Sequence, residues 1–142
     1  EEEYILELGK AHIVKEGSDV TIVSFGKMML RVYEAVKALE AEGMSVEVID
    51  LRTVRPLDHE TIVNSVKKTN RLVIVEEAWP LASISSEITY QVQKHAFDYL
   101  DAPIRRICSQ DVPLPYASTL VDVYLPSVAK IVEAAQSVAY KK

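Results

Sequence analysis

Apolar residues in this chain come in two alternating rhythms, and that alternation leaves few folds open. Short runs rich in β-branched residues, such as Val20-Thr21-Ile22-Val23-Ser24-Phe25 and Leu72-Val73-Ile74-Val75, have the near-continuous apolar character of strands covered on both faces. Between them the apolar residues recur every three or four positions, as Met29, Val32, Val36 and Leu39 do, which puts them on one side of a helix. The spacing predicts strands over 11–15, 20–25, 46–51, 72–75 and 104–108, and helices over 28–42, 56–68, 83–95 and 127–140. Gly43 stands where a left-handed cap closes the first helix, and Asp58 is a candidate N-cap for the second. Strands alternating with helices predict an α/β fold of three layers, a five-stranded, mostly parallel sheet with helices on both faces. No repeat and no Gly/Ser linker divides the 142 residues, so a single domain over 1–142 is expected.

Charge and cysteine use narrow the chemistry. Asp and Glu number 21 against 16 Lys and Arg, a formal charge of −5. That bias repels phosphate backbones and anionic membranes and suits a basic protein partner. Cys108 is the single cysteine, which excludes an internal disulfide and a multi-cysteine metal cluster. No apolar run approaches the ~20 residues that span a bilayer. The start, Glu1-Glu2-Glu3-Tyr4, lacks the positive and apolar regions of a signal peptide and an initiator methionine, so a fragment is expected.

Parallel sheets often bind ligands at the carboxyl ends of their strands. After the 20–25 strand comes Gly26-Lys27-Met28, but Thr21 stands where a P-loop needs its first glycine and Met28 where it needs Ser or Thr. No Gly-x-Gly-x-x-Gly occurs, and the strand end at Asp50 lacks the acidic pair of a phospho-acceptor module. Glu76-Glu77 closes the 72–75 strand. A carboxylate there serves as a general acid or base if burial raises its pKa, and the favoured expectation is a solvated or ion-paired strand end. Trp79-Pro80 reads as a packed loop anchor. His12, His59 and His95 lie on separate elements without the i, i+4 spacing of a metal pair, and are expected to be surface or structural. Cys108 has Arg105 and Arg106 nearby but no histidine base, and reads as an inert, partly buried strand residue. The chain thus has a sheet suited to hosting chemistry and no catalytic constellation.

Two stretches are distinctive. One runs Val48-Ile49-Asp50-Leu51-Arg52-Thr53-Val54-Arg55-Pro56-Leu57-Asp58 and continues at Ser65-Val66-Lys67-Lys68-Thr69-Asn70-Arg71-Leu72-Val73. The other runs Phe97-Asp98-Tyr99-Leu100-Asp101-Ala102-Pro103 and continues at Gln110-Asp111-Val112-Pro113-Leu114-Pro115-Tyr116-Ala117. Together they resemble the beta subunits of the decarboxylating first component of pyruvate dehydrogenase, from about Leu8 to the end of the chain. The resemblance implies a transketolase C-terminal fold. In that family the thiamin-pyrimidine-binding domain, which carries the activating glutamate, precedes this region, as does the histidine used near the substrate. Both are expected to be absent here, so no catalytic, cofactor-binding or metal-binding residue carries over, and the isolated chain is expected to be inactive.

What the resemblance implies instead is assembly. The intact enzyme uses thiamin diphosphate and magnesium to decarboxylate pyruvate oxidatively and passes the acetyl group to lipoyl groups. This domain would pack with an alpha subunit and a second beta subunit in an α2β2 heterotetramer and dock the basic subunit-binding domain of the acyltransferase core. The aspartate of the family's Leu-Asp-Ala-Pro motif, which takes part in that docking, matches Asp101. Arg52 and Arg55 are expected to pin loops by forked hydrogen bonds, and Tyr116 offers a large contact surface beside Pro113 and Pro115. These four are the candidate partner-binding residues. Beta subunits for branched-chain 2-oxo acids or acetoin share the fold, and a stand-alone α/β binding module would instead show a ligand pocket at the strand ends. The compartment would be bacterial cytoplasm, mitochondrial matrix or plastid stroma. Two departures stand out: Leu81-Ala82-Ser83-Ile84-Ser85-Ser86 replaces a glycine-containing turn of many relatives, and Lys141-Lys142 adds positive charge at the end.

Overall fold

The computed structural model describes residues 5–140, so Glu1–Tyr4 and the Lys141-Lys142 pair lie outside the described residues. Five strands form one sheet: β1 (His12–Lys15), β2 (Val20–Ser24), β3 (Val46–Asp50), β4 (Leu72–Val75) and β5 (Arg105–Ile107). Their spatial order is β1-β3-β2-β4-β5, with β1 antiparallel to β3 and the other pairs parallel. Helices α1 (Met28–Ala41), α2 (His59–Thr69), α3 (Ile84–Ala96), α4 (Ser118–Tyr124) and α5 (Val128–Val138) complete the chain, with a 3-10 turn over Phe97–Tyr99. The three-layer architecture is the one the periodicity predicts, and α4 is an addition to the four helices expected.

Period-two alternation in the central strands decides which layer each residue feeds. Val20, Ile22, Val46, Val48, Val73 and Val75 face α1 and α5. Val23, Ile49, Leu72 and Ile74 face α2 and α3. Two cores result, one on each side of the sheet. The second contains a polar strip near the amino ends of the strands. Thr21 Oγ1 lies 2.6 Å from Ser65 Oγ and 2.7 Å from Thr69 Oγ1. Beside it Glu47 is fully buried and ion-paired with Lys68.

Helix ends follow local chemistry. Gly43 has φ +79, its N–H donates to the Glu40 carbonyl, and Met44 N–H donates to the Leu39 carbonyl. That is a Schellman closure with Leu39 and Met44 both buried beneath it. Helix α2 begins at His59, later than Pro56, because Asp58 caps it: Thr61 N–H donates to Asp58 Oδ1 at 3.2 Å.

Candidate functional site

Connectivity fixes where a ligand site of this sheet would lie. Strand β2 leads into α1 on one face, and its neighbour β4 leads into α3 on the other. The crevice between the carboxyl ends of two such strands is the usual ligand position in α/β sheets. Here it is filled from within. Glu76, the residue after β4, is fully buried, which corrects the expectation of a solvated strand end; Glu77 beside it is exposed.

The Glu76 carboxylate sits against the first turn of α3. It accepts hydrogen bonds from the hydroxyls of Ser83 and Ser85, from Ser85 N–H at 3.3 Å and from the Cys108 thiol at 3.4 Å. Arg106 closes the network from β5, donating through Nε to Ser85 Oγ at 2.7 Å and through a terminal nitrogen to Ser83 Oγ at 3.1 Å and to the Pro80 carbonyl. Donor polarity is consistent throughout: guanidinium to hydroxyl, hydroxyl to carboxylate. A helix N-terminus with free amides is an anion site, and here the chain supplies its own anion. Ser83, the residue preceding α3, makes no side-chain cap bond; Glu76 takes that part from a distance.

Burial pushes the Cys108 thiol up, and the Glu76 charge adds to that, against the lowering effect of the Ser85 hydrogen bond and Arg106. A raised thiol is less readily ionised to the nucleophilic thiolate, and Cys108 is half-buried. Among the described residues no three His, Cys, Asp or Glu side chains converge on a metal position. The two histidines nearest each other, His59 and His95, stack with ring centroids 5.7 Å apart, a pairing of two helices that sequence spacing did not reveal.

The four candidate partner residues fall on opposite edges of the sheet. Arg52, Arg55 and Tyr116 follow β3 or β5 and so lie at the carboxyl edge, whereas Asp101 precedes β5 and lies at the amino edge. Arg52 adopts a left-handed backbone at φ 57, with its N–H on Asp50 Oδ1. Arg55 is exposed and walls a cleft of about 520 Å³ with Val54, Leu57, His59 and Ile84. Within the 51–58 loop, Thr53 Oγ1 accepts Gly9 N–H at 2.9 Å and donates to the Pro56 carbonyl, and Asp58 Oδ2 accepts Ala11 N–H at 3.0 Å. Tyr116 is fully exposed. Trp79 is half-exposed and anchored, its indole N–H donating to the Val112 carbonyl at 3.0 Å.

Asp101 sits in a well-braced corner. Its N–H donates to the Asn70 carbonyl, its carbonyl accepts the Tyr140 hydroxyl at 2.9 Å, and its carboxylate lies 3.5 Å from the Arg71 guanidinium. The carboxylate is more than half exposed, so it is paired and still accessible. The turn without glycine is accommodated at Ala82, which takes φ 54 in the left-handed region. For a non-glycine residue that costs roughly 1–2 kcal/mol.

Comparison with known proteins agrees with this architecture. The model of the transketolase C-terminal domain matches residues 9–131. The chain is 52% identical over 141 residues to the mitochondrial pyruvate dehydrogenase E1 component subunit beta of Dictyostelium discoideum, covering 99% of this chain and 40% of that protein. It is 51% identical over 140 residues to the corresponding subunit of Rhizobium meliloti, covering 99% of this chain and 30% of that one. It therefore spans well under half the length of these curated relatives. Among solved structures, a split-gene transketolase in an inactive beta4 tetramer superposes with a TM-score of 0.84 at 29% identity, over 99% of this chain and 44% of that one. A 2-oxoglutarate:ferredoxin oxidoreductase from Magnetococcus marinus shares the fold at a TM-score of 0.59 and 16% identity, over 92% of this chain and 19% of that one. By sequence and by fold together, this chain belongs to the family of transketolase C-terminal domains.

Proposed function

We propose that this chain is the C-terminal domain of a pyruvate dehydrogenase E1 beta subunit, and that it contributes assembly and docking surfaces while the chemistry takes place elsewhere in the complex. The observation that carries the reading is identity of about half the residues to such subunits across nearly the whole chain. The filled crevice at Glu76 supports it. A diphosphate brought to that helix terminus would meet a buried carboxylate already bonded to the available donors, so the residues present do not fit thiamin diphosphate, and among the described residues no three ligating side chains converge to hold its magnesium.

In the intact enzyme the reaction is oxidative decarboxylation of pyruvate through thiamin diphosphate, with acetyl transfer to lipoyl groups. The partners are an alpha subunit, a second beta subunit and the basic subunit-binding domain of the acyltransferase, with Asp101 at the docking corner. A net charge of −5 favours that basic partner. The compartment is bacterial cytoplasm or an organelle such as the mitochondrial matrix, as relatives of both kinds suggest, and no helix of the described residues is long and apolar enough to cross a membrane. Kinetics of the heterotetramer carrying this domain, on pyruvate, branched-chain 2-oxo acids and acetoin, tests the assignment. Preferred turnover of pyruvate is expected; preferred turnover of a branched-chain acid or of acetoin would defeat it.

A further inference from the structure

Packing brings two histidines together on the outer side of the α2–α3 layer. His59 is the first residue of α2, and His95 lies in the last turn of α3. Their ring centroids stand 5.7 Å apart, with the ring planes 28° from parallel. The backbones that carry them are held firmly. Ile62, Val63 and Val66 of α2 share one core with Ile88, Val92 and Ala96 of α3. The Asp58 cap fixes the turn from which His59 projects, since Asp58 accepts the Thr61 N–H and hydroxyl. The rings themselves are open to solvent: His59 is half-buried and His95 exposed. With Glu60, Asn64 and Lys67 they line an open cavity of about 320 Å³ between the two helices.

The ring nitrogens are uncommitted. Among the described residues neither imidazole takes part in a hydrogen bond or an ion pair, and the contact between the two rings is the interaction they make. Their separation suits a shared ion. Imidazole nitrogen binds zinc at about 2.0–2.1 Å, which sets the ring centre roughly 3.2 Å from the metal; two such rings at the tetrahedral angle have centroids roughly 5.2 Å apart. The observed 5.7 Å is slightly wider. Because His95 is exposed, a change in its side-chain torsions closes that gap and turns its ring edge toward the ion.

Donor type selects the ion, because the local field is close to balanced. His95 sits at the carbonyl end of α3, which favours a cation, and His59 at the amide end of α2, which opposes one. Glu60 on the cavity wall faces Lys67, whose ammonium lies 5.5 Å from the centre of the Tyr99 ring and is drawn toward it. Neutral imidazole nitrogens suit zinc, copper and nickel, whereas magnesium and calcium take oxygen donors. We propose that His59 and His95 form a two-histidine site for a zinc-class divalent ion, which clamps α2 to α3 with water completing its coordination. Among the described residues no third ligand converges there, so the site is exchangeable and unlike a closed structural zinc centre. It is separate from the magnesium of the intact enzyme and does not depend on the substrate.

Calorimetric titration of the EDTA-treated and dialysed 142-residue chain with zinc chloride at neutral pH tests it. His59→Ala and His95→Ala are the site variants. His12→Ala and Cys108→Ser control for the remaining imidazole and the thiol, and magnesium chloride for charge alone. The expected result is one zinc ion per chain, bound at least tenfold more weakly by either site variant and unchanged in either control, with no heat from magnesium. Zinc binds the folded pair and is therefore expected to raise the Tm of the wild type and not that of the site variants. Melts in EDTA check that each variant is folded, and His59→Gln and His95→Gln replace an alanine variant that melts early. Silence with zinc overturns the inference and leaves the pair a stack of rings. Zinc binding that either site variant leaves intact, or that His12→Ala or Cys108→Ser abolishes, overturns it as well. Each failure leaves the pyruvate assignment standing, since turnover by the heterotetramer reads that independently.

Discussion

Replacing Glu76 by alanine is the most informative single perturbation of this fold. The carboxylate is fully buried and accepts from two serine hydroxyls, one backbone N–H and a thiol. Alanine leaves the Ser85 amide and both hydroxyls short of an acceptor, and leaves Arg106 beside hydroxyls that no longer pass its charge on to an anion. Hydrogen bonds to a charged group contribute roughly 1.5–3 kcal/mol each, and stranding one member of a buried charged network costs roughly 3–5 kcal/mol. Arg106 is half-buried and keeps its bond to the Pro80 carbonyl, so the lower end applies. The expected loss is about 3 kcal/mol, or a fall of about 10 °C in Tm for a domain of this size. Glu76→Gln keeps the shape and one acceptor oxygen and is expected to lose about half as much. Glu77→Ala, at the exposed neighbour, stays within about 0.5 kcal/mol. Urea unfolding followed by far-UV circular dichroism measures all three. A Glu76→Ala variant as stable as Glu77→Ala would refute the account of the crevice as a satisfied, closed network.

Three further outcomes follow from local geometry. A Cβ at Gly17 would stand 2.2 Å from the Val46 carbonyl carbon and 2.3 Å from Glu47 N, so Gly17→Ala forces β3 away from its neighbour; a loss of about 3 kcal/mol in urea unfolding is expected, and an unchanged midpoint would contradict the packing. Burial pushes the Asp58 carboxyl up, but hydrogen bonds from Ala11 N–H and from the Thr61 hydroxyl and N–H outweigh it, leaving the folded value below 3.8. A depressed carboxyl stabilises above its unfolded pKa and loses that contribution as pH falls through the folded value; Asp58→Ala is therefore expected to cost about 1 kcal/mol at pH 7, with the gap to wild type closing below about pH 4, and a gap independent of pH would count against the cap. Cys108, raised by burial, is expected to react with iodoacetamide at pH 8 roughly tenfold more slowly than a free cysteine peptide; equal rates would show the thiol to be open.

Much of the fold is written in local pattern. The run Leu72–Val75 could only be a strand buried on both faces, and Gly43 marked a closure that Leu39 and Met44 then seal. What escaped has physical reasons. Helix α4 is seven residues long and buries only Tyr124, too little to leave a periodic signal. The direction of β1 is set by its pairing with β3, which its four residues do not encode. The burial of Glu76 escaped because its partners Ser83, Ser85 and Arg106 arrive from a loop, a helix and another strand. Glu47 with Lys68, and His59 with His95, are likewise neighbours only through tertiary packing. The resemblance pointed to Asp101, while topology places it on the far edge from Arg52, Arg55 and Tyr116. That separation follows from parallel strands alone, because Asp101 precedes a strand and the others follow one.

The claim that this domain works by docking is tested most directly at Asp101. Its carboxylate is exposed, braced through Asn70 and Tyr140, and shared with Arg71. The measurement is a calorimetric titration of the heterotetramer carrying this domain with the acyltransferase subunit-binding domain, at low and moderate salt, wild type beside Asp101→Ala. Binding is expected to weaken with salt and to fall a further tenfold or so on Asp101→Ala, the equivalent of about 1.4 kcal/mol. Affinity that ignores both salt and the substitution would contradict it.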